Sequence, residues 1–162
     1  MIDIRVASIL KDSIVNGEGI RDVVFLQGCL HFCKGCHNPQ TWNTLGGNEY
    51  TIEEILNKLK DSNNQVTISG GEPLLQLTSL YELLDRLESE QGKRCWLYTG
   101  FTFDEIPPEV LETLFQWVDV LVDGRFEIDK KDLRLAFRGS SNQRLIDLPK
   151  TIANKELTLW RI

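Results

Sequence analysis

The chain carries three cysteines within eight residues, directly after a short run of β-forming side chains. The segment that begins at Gly28 reads GCLHFCKGCHN, which spaces Cys29, Cys33 and Cys36 as C-x3-C-x2-C. The five residues before it, VVFLQ at 23–27, are typical of a buried strand that ends at the glycine. Thiols at this density indicate metal binding rather than disulfide pairing. The fold must therefore place a thiol-rich loop at the end of a strand.

Length and charge limit what kind of protein contains this loop. A chain of 162 residues is close to one ordinary domain, and we expect a single domain over residues 1–162. The net charge of -6 disfavours non-specific binding to nucleic acid or to an anionic membrane surface, because phosphates attract basic groups. The N-terminus, with Asp3 and Arg5, lacks the apolar run of a signal peptide, and stretches such as 118–122 are too short to span a bilayer. We expect a soluble cytoplasmic protein, whose thiols stay reduced, with no nucleic-acid or membrane partner.

Predicted strands and helices alternate along the chain. Strands are predicted at 23–27, 66–69, 95–99 and 118–122, and helices at 51–60, 77–90 and 107–117. This order favours an α/β fold with a parallel sheet and helices on its outer face. A complete barrel needs ~250 residues, so we expect a partial, open β/α barrel. Its site should lie at the C-terminal ends of the strands, where Cys29, Gly70-Gly71-Glu72 and Asp123 fall.

The cysteine loop can hold one cubane iron–sulfur cluster, with each thiolate bound to a different iron. Four irons need four ligands, and the remaining thiol, Cys95, falls on a predicted strand far along the chain. If Cys95 is not a ligand, one iron stays open for a substrate to coordinate. A structural zinc site of the Cys3His type, with His31 or His37 as fourth ligand, is an alternative. Three unrelated core cysteines are disfavoured by the clustering itself.

Further sequence blocks resemble a known family. The cysteine spacing followed by SGGEP at 69–73 resembles the radical S-adenosylmethionine superfamily. The cysteine block and four others, in order, resemble the activating protein of anaerobic (class III) ribonucleoside-triphosphate reductase: VNGEGIR at 15–21, TW at 41–42, VLVDGRF at 120–126 and RGSSNQR at 138–144. Together these blocks span residues 15–144, which is most of the chain.

The resemblance implies a reaction. S-adenosylmethionine would chelate the open iron of one [4Fe–4S] cluster through its amino and carboxylate groups, and an electron from the reduced cluster would break a carbon–sulfur bond. The 5′-deoxyadenosyl radical would then remove hydrogen from one glycine Cα of the reductase large subunit, leaving methionine, 5′-deoxyadenosine and a glycyl radical. The expected partners are therefore the glycyl-radical loop of that subunit and a one-electron donor such as a flavodoxin.

The resemblance also implies which residues hold the cofactor. Gly35 stands where many superfamily members have an aromatic residue near the adenine, so we expect backbone contacts there from Gly35, Cys36 and His37. The turn 70–72 is expected to bind the methionine amino group, since glycines let a ligand approach closely and the Glu72 carboxylate accepts from an ammonium. An ordinary strand-to-helix turn is the alternative. A second departure from the family pattern is Glu18, where relatives often have proline.

Each of the remaining polar candidates has two possible interpretations. Asp123 either holds the ribose hydroxyls, as an acidic residue does after other α/β strands, or forms an Asp-Gly turn. Arg125 either pairs with the substrate carboxylate or is solvated. The segment Arg138–Arg144 either shapes the site or the partner surface, or is a surface loop. His31 and His37 are expected to donate hydrogen bonds to cluster sulfur or adenine rather than to act as ligands.

The resulting hypothesis is a radical-generating activase for an anaerobic ribonucleotide reductase. One alternative is a small radical S-adenosylmethionine enzyme that acts on a free metabolite, such as a deazaguanine-forming synthase. The other is a non-catalytic zinc-binding module. The short chain favours the activase, because 162 residues leave little room for elements that hold a small substrate, whereas an open face suits a protein loop.

Overall fold

One mixed sheet runs through the chain, of which the computed structural model describes residues 3–162. Its seven strands are β1 Asp3–Ser13, β2 Arg21–Leu26, β3 Asn48–Thr51, β4 Gln65–Gly70, β5 Cys95–Tyr98, β6 Val118–Asp123 and β7 Arg144–Asp147. The α-helices of the described residues are α1 Ile52–Leu59, α2 Leu77–Gln91, α3 Pro108–Leu114 and α4 Leu148–Asn154. The strand order is β3-β1-β2-β4-β5-β6-β7, so the sheet ends at two different strands and does not close.

The four central strands are parallel, and the edges are not. β2 pairs with β4, β4 with β5 and β5 with β6, all in the same direction. On one edge β1 and β3 are antiparallel, and on the other edge β7 runs antiparallel to β6. The predicted open α/β architecture is confirmed. The expectation of a parallel sheet needs one correction, because antiparallel strands extend the sheet on both sides.

The sheet has a helix side and a concave side. Cys95 and Leu97 of β5 pack into the large core beneath the helices, whereas Trp96 and Tyr98 alternate onto the concave side, as successive side chains of a strand do. Burial raises the pKa of the Cys95 thiol to about 12, so this cysteine stays protonated and behaves as an apolar core residue. The remaining thiol is therefore separated from the concave side by the sheet itself.

Local signals explain where the helices begin and end. The Thr51 hydroxyl accepts a hydrogen bond of 3.1 Å from the Glu54 N–H and so caps the start of α1. Helix α2 buries its leucine stripe and ends at Gly92, whose φ of 64° is left-handed. Helix α3 is shorter than the expected 107–117, because the Trp117 N–H donates to the Leu114 carbonyl in a turn that leads into β6.

Strands β1, β3 and β7 and helix α4 were not predicted from the sequence. β1 mixes buried side chains such as Ile4 and Val6 with exposed ones, and β3 and β7 are four residues each, so none gives a clear periodic signal. Helix α4 follows Asp147, whose side chain accepts from the Lys150 N–H at 3.0 Å. No helix among residues 3–162 has the length and hydropathy that a membrane crossing needs.

Candidate active site

A cavity of about 600 Å³ opens at the C-terminal ends of the parallel strands. Its wall includes Cys29 just after β2, Gly70 at the end of β4 and Thr99 after β5. Cys33 and Cys36 line the same wall, so the three clustered cysteines face one space. The cavity therefore lies at the strand ends where open α/β sheets bind their ligands.

The cysteine loop is clamped at its base by the chain that follows it. The Gly28 and Cys29 N–H groups donate to the carbonyls of Thr41 and Trp42 at 2.6 and 3.2 Å. The buried Gln27 side chain adds two hydrogen bonds of 2.9 and 2.8 Å to carbonyls of the same returning segment. The TW block at 41–42 thus has a structural explanation: its backbone closes the loop that carries the thiols.

The three thiols are free and lie in a partly buried setting. Cys29 is buried, and Cys33 and Cys36 are half-buried. Burial is the main cause that raises the pKa values of Cys29 and Cys33 above that of an ordinary thiol. The Cys29 and Cys33 thiols therefore stay protonated at neutral pH until a metal centre displaces their protons, as metal binding to thiols generally requires.

The donor set fits one iron–sulfur cluster. Three soft sulfur ligands face the cavity, and Cys95 lies on the other side of the sheet. Within residues 3–162, no three His, Cys, Asp or Glu side chains converge on one point as ligands of a single ion. A cubane does not require such convergence, because each thiolate binds a separate iron.

Glu72 anchors the cysteine loop to the neighbouring strand ends. Its side chain is 1% exposed, and its Oε1 lies 2.6 Å from His31 Nε2 and 2.8 Å from the Gly100 N–H. The Thr99 hydroxyl and the Leu74 N–H also donate to this carboxylate. Glu72 does not line the cavity, whereas His31 does. Sequence reasoning missed this pair, since it assigned His31 to cluster sulfur or adenine.

Gly70 and Gly71 allow two chain segments to cross closely. A Cβ at Gly70 would lie 2.4 Å from the Leu26 backbone, and one at Gly71 would lie 2.3 Å from the Gly28 carbonyl oxygen. The Glu72 N–H donates to that same Gly28 oxygen at 2.7 Å. Both glycines also line the cavity, so the ordinary-turn and cofactor interpretations are compatible at these two positions.

The expected adenine-side residues divide into two groups. Cys36 and His37 line the cavity, and Gly35 does not. At Gly35 a Cβ would meet the Ile128 side chain at 2.8 Å and the Phe126 ring at 3.4 Å. A larger residue would have to displace these neighbours. The absence of the usual aromatic side chain at Gly35 therefore follows from packing against the segment after β6.

Asp123 and Arg125 are both engaged in ion pairs. The Asp123 carboxylate is buried, accepts from Arg144 at 2.6 and 3.1 Å, and also accepts from the Phe103 N–H at 2.8 Å. Arg125 forms a two-pronged pair with Glu105 at 2.9 and 3.1 Å. Because the Asp123 side chain lies outside the cavity wall, its geometry favours a structural role over the ribose contact.

Arg138 is a candidate that sequence reasoning named only as part of a segment. It lines the cavity, and within residues 3–162 its guanidinium has no hydrogen-bond or ion-pair partner, with Nε buried and unsatisfied. The loop on either side is fixed. The Tyr98 hydroxyl donates to the Phe137 carbonyl, and the Gln143 side chain accepts from the Gly139 N–H at 2.9 Å. The cavity thus contains an unneutralised cation held on an ordered loop.

Comparison with protein families places this site in a class. A family described as "4Fe-4S single cluster domain" matches residues 15–146, which include the cysteine loop and nearly all of the cavity wall. The chain is therefore an iron–sulfur protein of the single-cluster type. This finding favours the cluster over the zinc site that the thiols alone left open.

Individual relatives identify the family within this class. A protein of Vibrio cholerae is 39% identical over 139 residues, covering 80% of this chain and 89% of its own. The Escherichia coli K12 relative is 38% identical over 139 residues, covering 80% and 90%, and that of Enterobacteria phage T4 is 39% identical over 140 residues, covering 81% and 86%. All three are named anaerobic ribonucleoside-triphosphate reductase-activating protein. The chain belongs to this family, as its sequence blocks predicted.

A solved structure supports the fold alone. The crystal structure of QueE from Escherichia coli aligns with a TM-score of 0.56 at 17% identity, over 75% of this chain and 71% of that one. The likeness agrees with the open sheet seen here.

Replacing Cys29, Cys33 or Cys36 singly with alanine should abolish the cluster, because we expect each thiolate to bind a separate iron. Cys95→Ala should retain it, since this thiol lies across the sheet. Iron and sulfide content after anaerobic reconstitution tests this prediction, and circular dichroism shows that each variant is folded. Loss of the cluster from a folded Cys95→Ala protein would mean that a fourth cysteine is a ligand.

Glu72→Ala should destabilise the protein even before any cluster or cofactor is bound. The change leaves the buried Thr99 hydroxyl and the part-buried donors of His31, Gly100 and Leu74 without their acceptor, and an unsatisfied buried donor costs about 1–3 kcal/mol. Thermal unfolding of the metal-free protein measures the effect, with Glu127→Ala as a control that removes an exposed ion pair to Lys130. Equal melting temperatures for the two variants would contradict the anchoring role.

Proposed function

We propose that this protein is the activase that reductively cleaves S-adenosylmethionine at a [4Fe–4S] cluster on Cys29, Cys33 and Cys36. The product is a glycyl radical on the large subunit of the anaerobic ribonucleoside-triphosphate reductase. Membership of the activating-protein family and of the single-cluster domain family supports this proposal. The names of the curated relatives also favour a protein substrate over the free metabolite considered from the sequence.

The observation that carries the proposal is the division of the four thiols between the two sides of the sheet. Three of them face a cavity of about 600 Å³, and Cys95 is buried beneath the helices. A cluster held by three protein ligands keeps one iron available to a small molecule. A four-cysteine electron-transfer site would leave no such position, so the arrangement suits chemistry at the cluster.

When bound, the reduced cluster supplies the electron that splits S-adenosylmethionine into methionine and a 5′-deoxyadenosyl radical. The chain's own residues hold the reactants. Cys36 and His37 lie on the cysteine loop and line the cavity. The Cys36 N–H already donates to the Cys33 carbonyl, so the adenine is assigned to the remaining backbone groups of these two residues. Phe25, Phe126 and Phe137 also line the cavity, and such apolar walls exclude water that would quench a reactive radical.

The methionine end of the cofactor is assigned to Arg138 and to the turn at Gly70 and Gly71, which line the same cavity as the thiols. Among residues 3–162 the Arg138 guanidinium has no partner, and it takes the α-carboxylate, a role that the sequence had offered to Arg125. Gly70 and Gly71 admit the amino group toward Glu72. Because His31 already donates to Glu72 Oε1, an ammonium reaches that oxygen only when His31 is displaced. The ribose contact to Asp123 is left out, since Arg144 and a backbone N–H occupy its carboxylate.

The proposed partners follow from the reaction. The glycyl-radical loop of the reductase large subunit supplies the hydrogen, and a one-electron donor such as a flavodoxin reduces the cluster. We place the protein in the cytoplasm, where thiols such as its four free cysteines stay reduced.

The proposed function predicts a radical on the partner protein. Reduced, reconstituted protein mixed with S-adenosylmethionine and the large subunit of the cognate reductase should give a glycyl doublet by electron paramagnetic resonance. The doublet should disappear when the target glycine of the large subunit is replaced with alanine. Cleavage that is stoichiometric with a small metabolite, with no protein radical, would refute the activase function.

Arg138→Gln should weaken S-adenosylmethionine binding, whereas Arg125→Gln should not. A charge-assisted hydrogen bond contributes about 1.5–3 kcal/mol, which corresponds to roughly ten- to hundred-fold in affinity. Arg125 is the matched control because it lines the same cavity but already pairs with Glu105. Anaerobic titration calorimetry on cluster-loaded proteins measures both affinities. An unchanged affinity for Arg138→Gln would place the carboxylate elsewhere.

A further inference from the structure

Two exposed apolar segments border the cavity that contains the cysteines. Ile14 and Val15, just after β1, are 69% and 67% exposed, and Leu133, between β6 and β7, is 87% exposed. All three line the same cavity as the thiols. We call residues 14–15 the first lip and residues 130–134 the second lip. Apolar side chains grouped in this way at a site entrance are typical of a surface that another molecule covers.

The second lip presents its leucine on a closed, ordered loop. A bridge between Lys131 and Ser140 closes the loop, and the Asp132 N–H donates to the Gly139 carbonyl at 3.2 Å. The Leu135 N–H donates to the Asp132 carbonyl at 3.3 Å, which makes a turn with Leu133 at its tip. A loop whose backbone is held in this way loses little conformational freedom on docking, as pre-organised binding surfaces require.

The charge of the second lip is opposite to that of the chain as a whole. Residues 130–134 read KKDLR, with three cations and one anion, in a protein of net charge -6. Lys130 pairs with Glu127 just outside the lip and Arg134 pairs with Asp132 within it, so Lys131 is the cation of the lip that has no ion-pair partner among residues 3–162. The matching surface is therefore an apolar pocket flanked by carboxylates, since complementary charge favours association with an acidic face.

The cavity's position indicates which molecule covers it. On the proposed function, a glycine in a loop of the reductase large subunit has to enter this cavity, so that subunit must lie against its mouth. We propose that the two lips form the docking surface for the large subunit, with Leu133 inserted in an apolar pocket beside acidic side chains. This inference rests on the proposed function and adds the surface by which the substrate protein is recognised.

Leu133→Asp tests the docking surface, and Leu45→Asp is its matched control. Leu45 is also a leucine at 80% exposure, but it does not line the cavity. The measurement is the affinity of cluster-loaded protein for the purified large subunit of the cognate anaerobic reductase, by anaerobic biolayer interferometry. Leu133→Asp should weaken binding at least about tenfold, as expected for loss of a central anchor, and Leu45→Asp should leave it unchanged.

Lys131→Glu should weaken binding at low salt and less at high salt.

Two further readouts separate the possible failures. Iron content should match wild type in Leu133→Asp, because this side chain is not a ligand of the cluster. If wild type leaves a glycyl radical on the large subunit while Leu133→Asp binds it equally well, the docking surface is wrong and the function stands. The docking surface is also wrong if Leu45→Asp weakens binding as much. If wild type neither binds nor activates the large subunit, the proposed function and the inference both fail.

Discussion

The buried carboxylate of Glu72 joins the chain segments that meet at the cavity. It accepts hydrogen bonds from His31 on the cysteine loop, from Thr99 and Gly100 after β5, and from Leu74 ahead of α2. A buried carboxylate with these partners removed is strongly unfavourable, so the segments have to stay together. The fold consequently brings the three thiols to one wall of the cavity.

Ion pairing elsewhere around the cavity determines which charges remain for a ligand. Asp123 and Arg144 neutralise each other at the junction of β6 and β7, and Arg125 is paired with Glu105 on the rim. Arg138 is left as an unpaired cation among the residues described, with a buried Nε. The ion pairs that stabilise the strand ends therefore favour an anionic ligand, because they leave the Arg138 guanidinium to attract a carboxylate.

The sequence predicted the features that depend on local pattern. The VVFLQ run and the crowded cysteines each carry their own signal, and they predicted a central strand and the thiol loop that follows it. Contacts across long separations were not predictable. His31 finds Glu72 over 41 residues and Arg144 finds Asp123 over 21, and spacing does not reveal such partners. The edge strands were missed because their mixed exposure lacks a clean alternation.

The concave side is closed at one end and open at the other. Trp96, Trp160 and Phe137 pack edge to face over the concave side, and the Trp160 indole N–H donates to Glu18 at 2.9 Å. This contact gives Glu18 a packing function where relatives often have proline. With the aromatic layer covering that side, the strand C-terminal ends are the open approach to the thiols. On the proposed function, a substrate loop would enter there between the apolar lips, and the partner protein would supply the last wall of the reaction chamber.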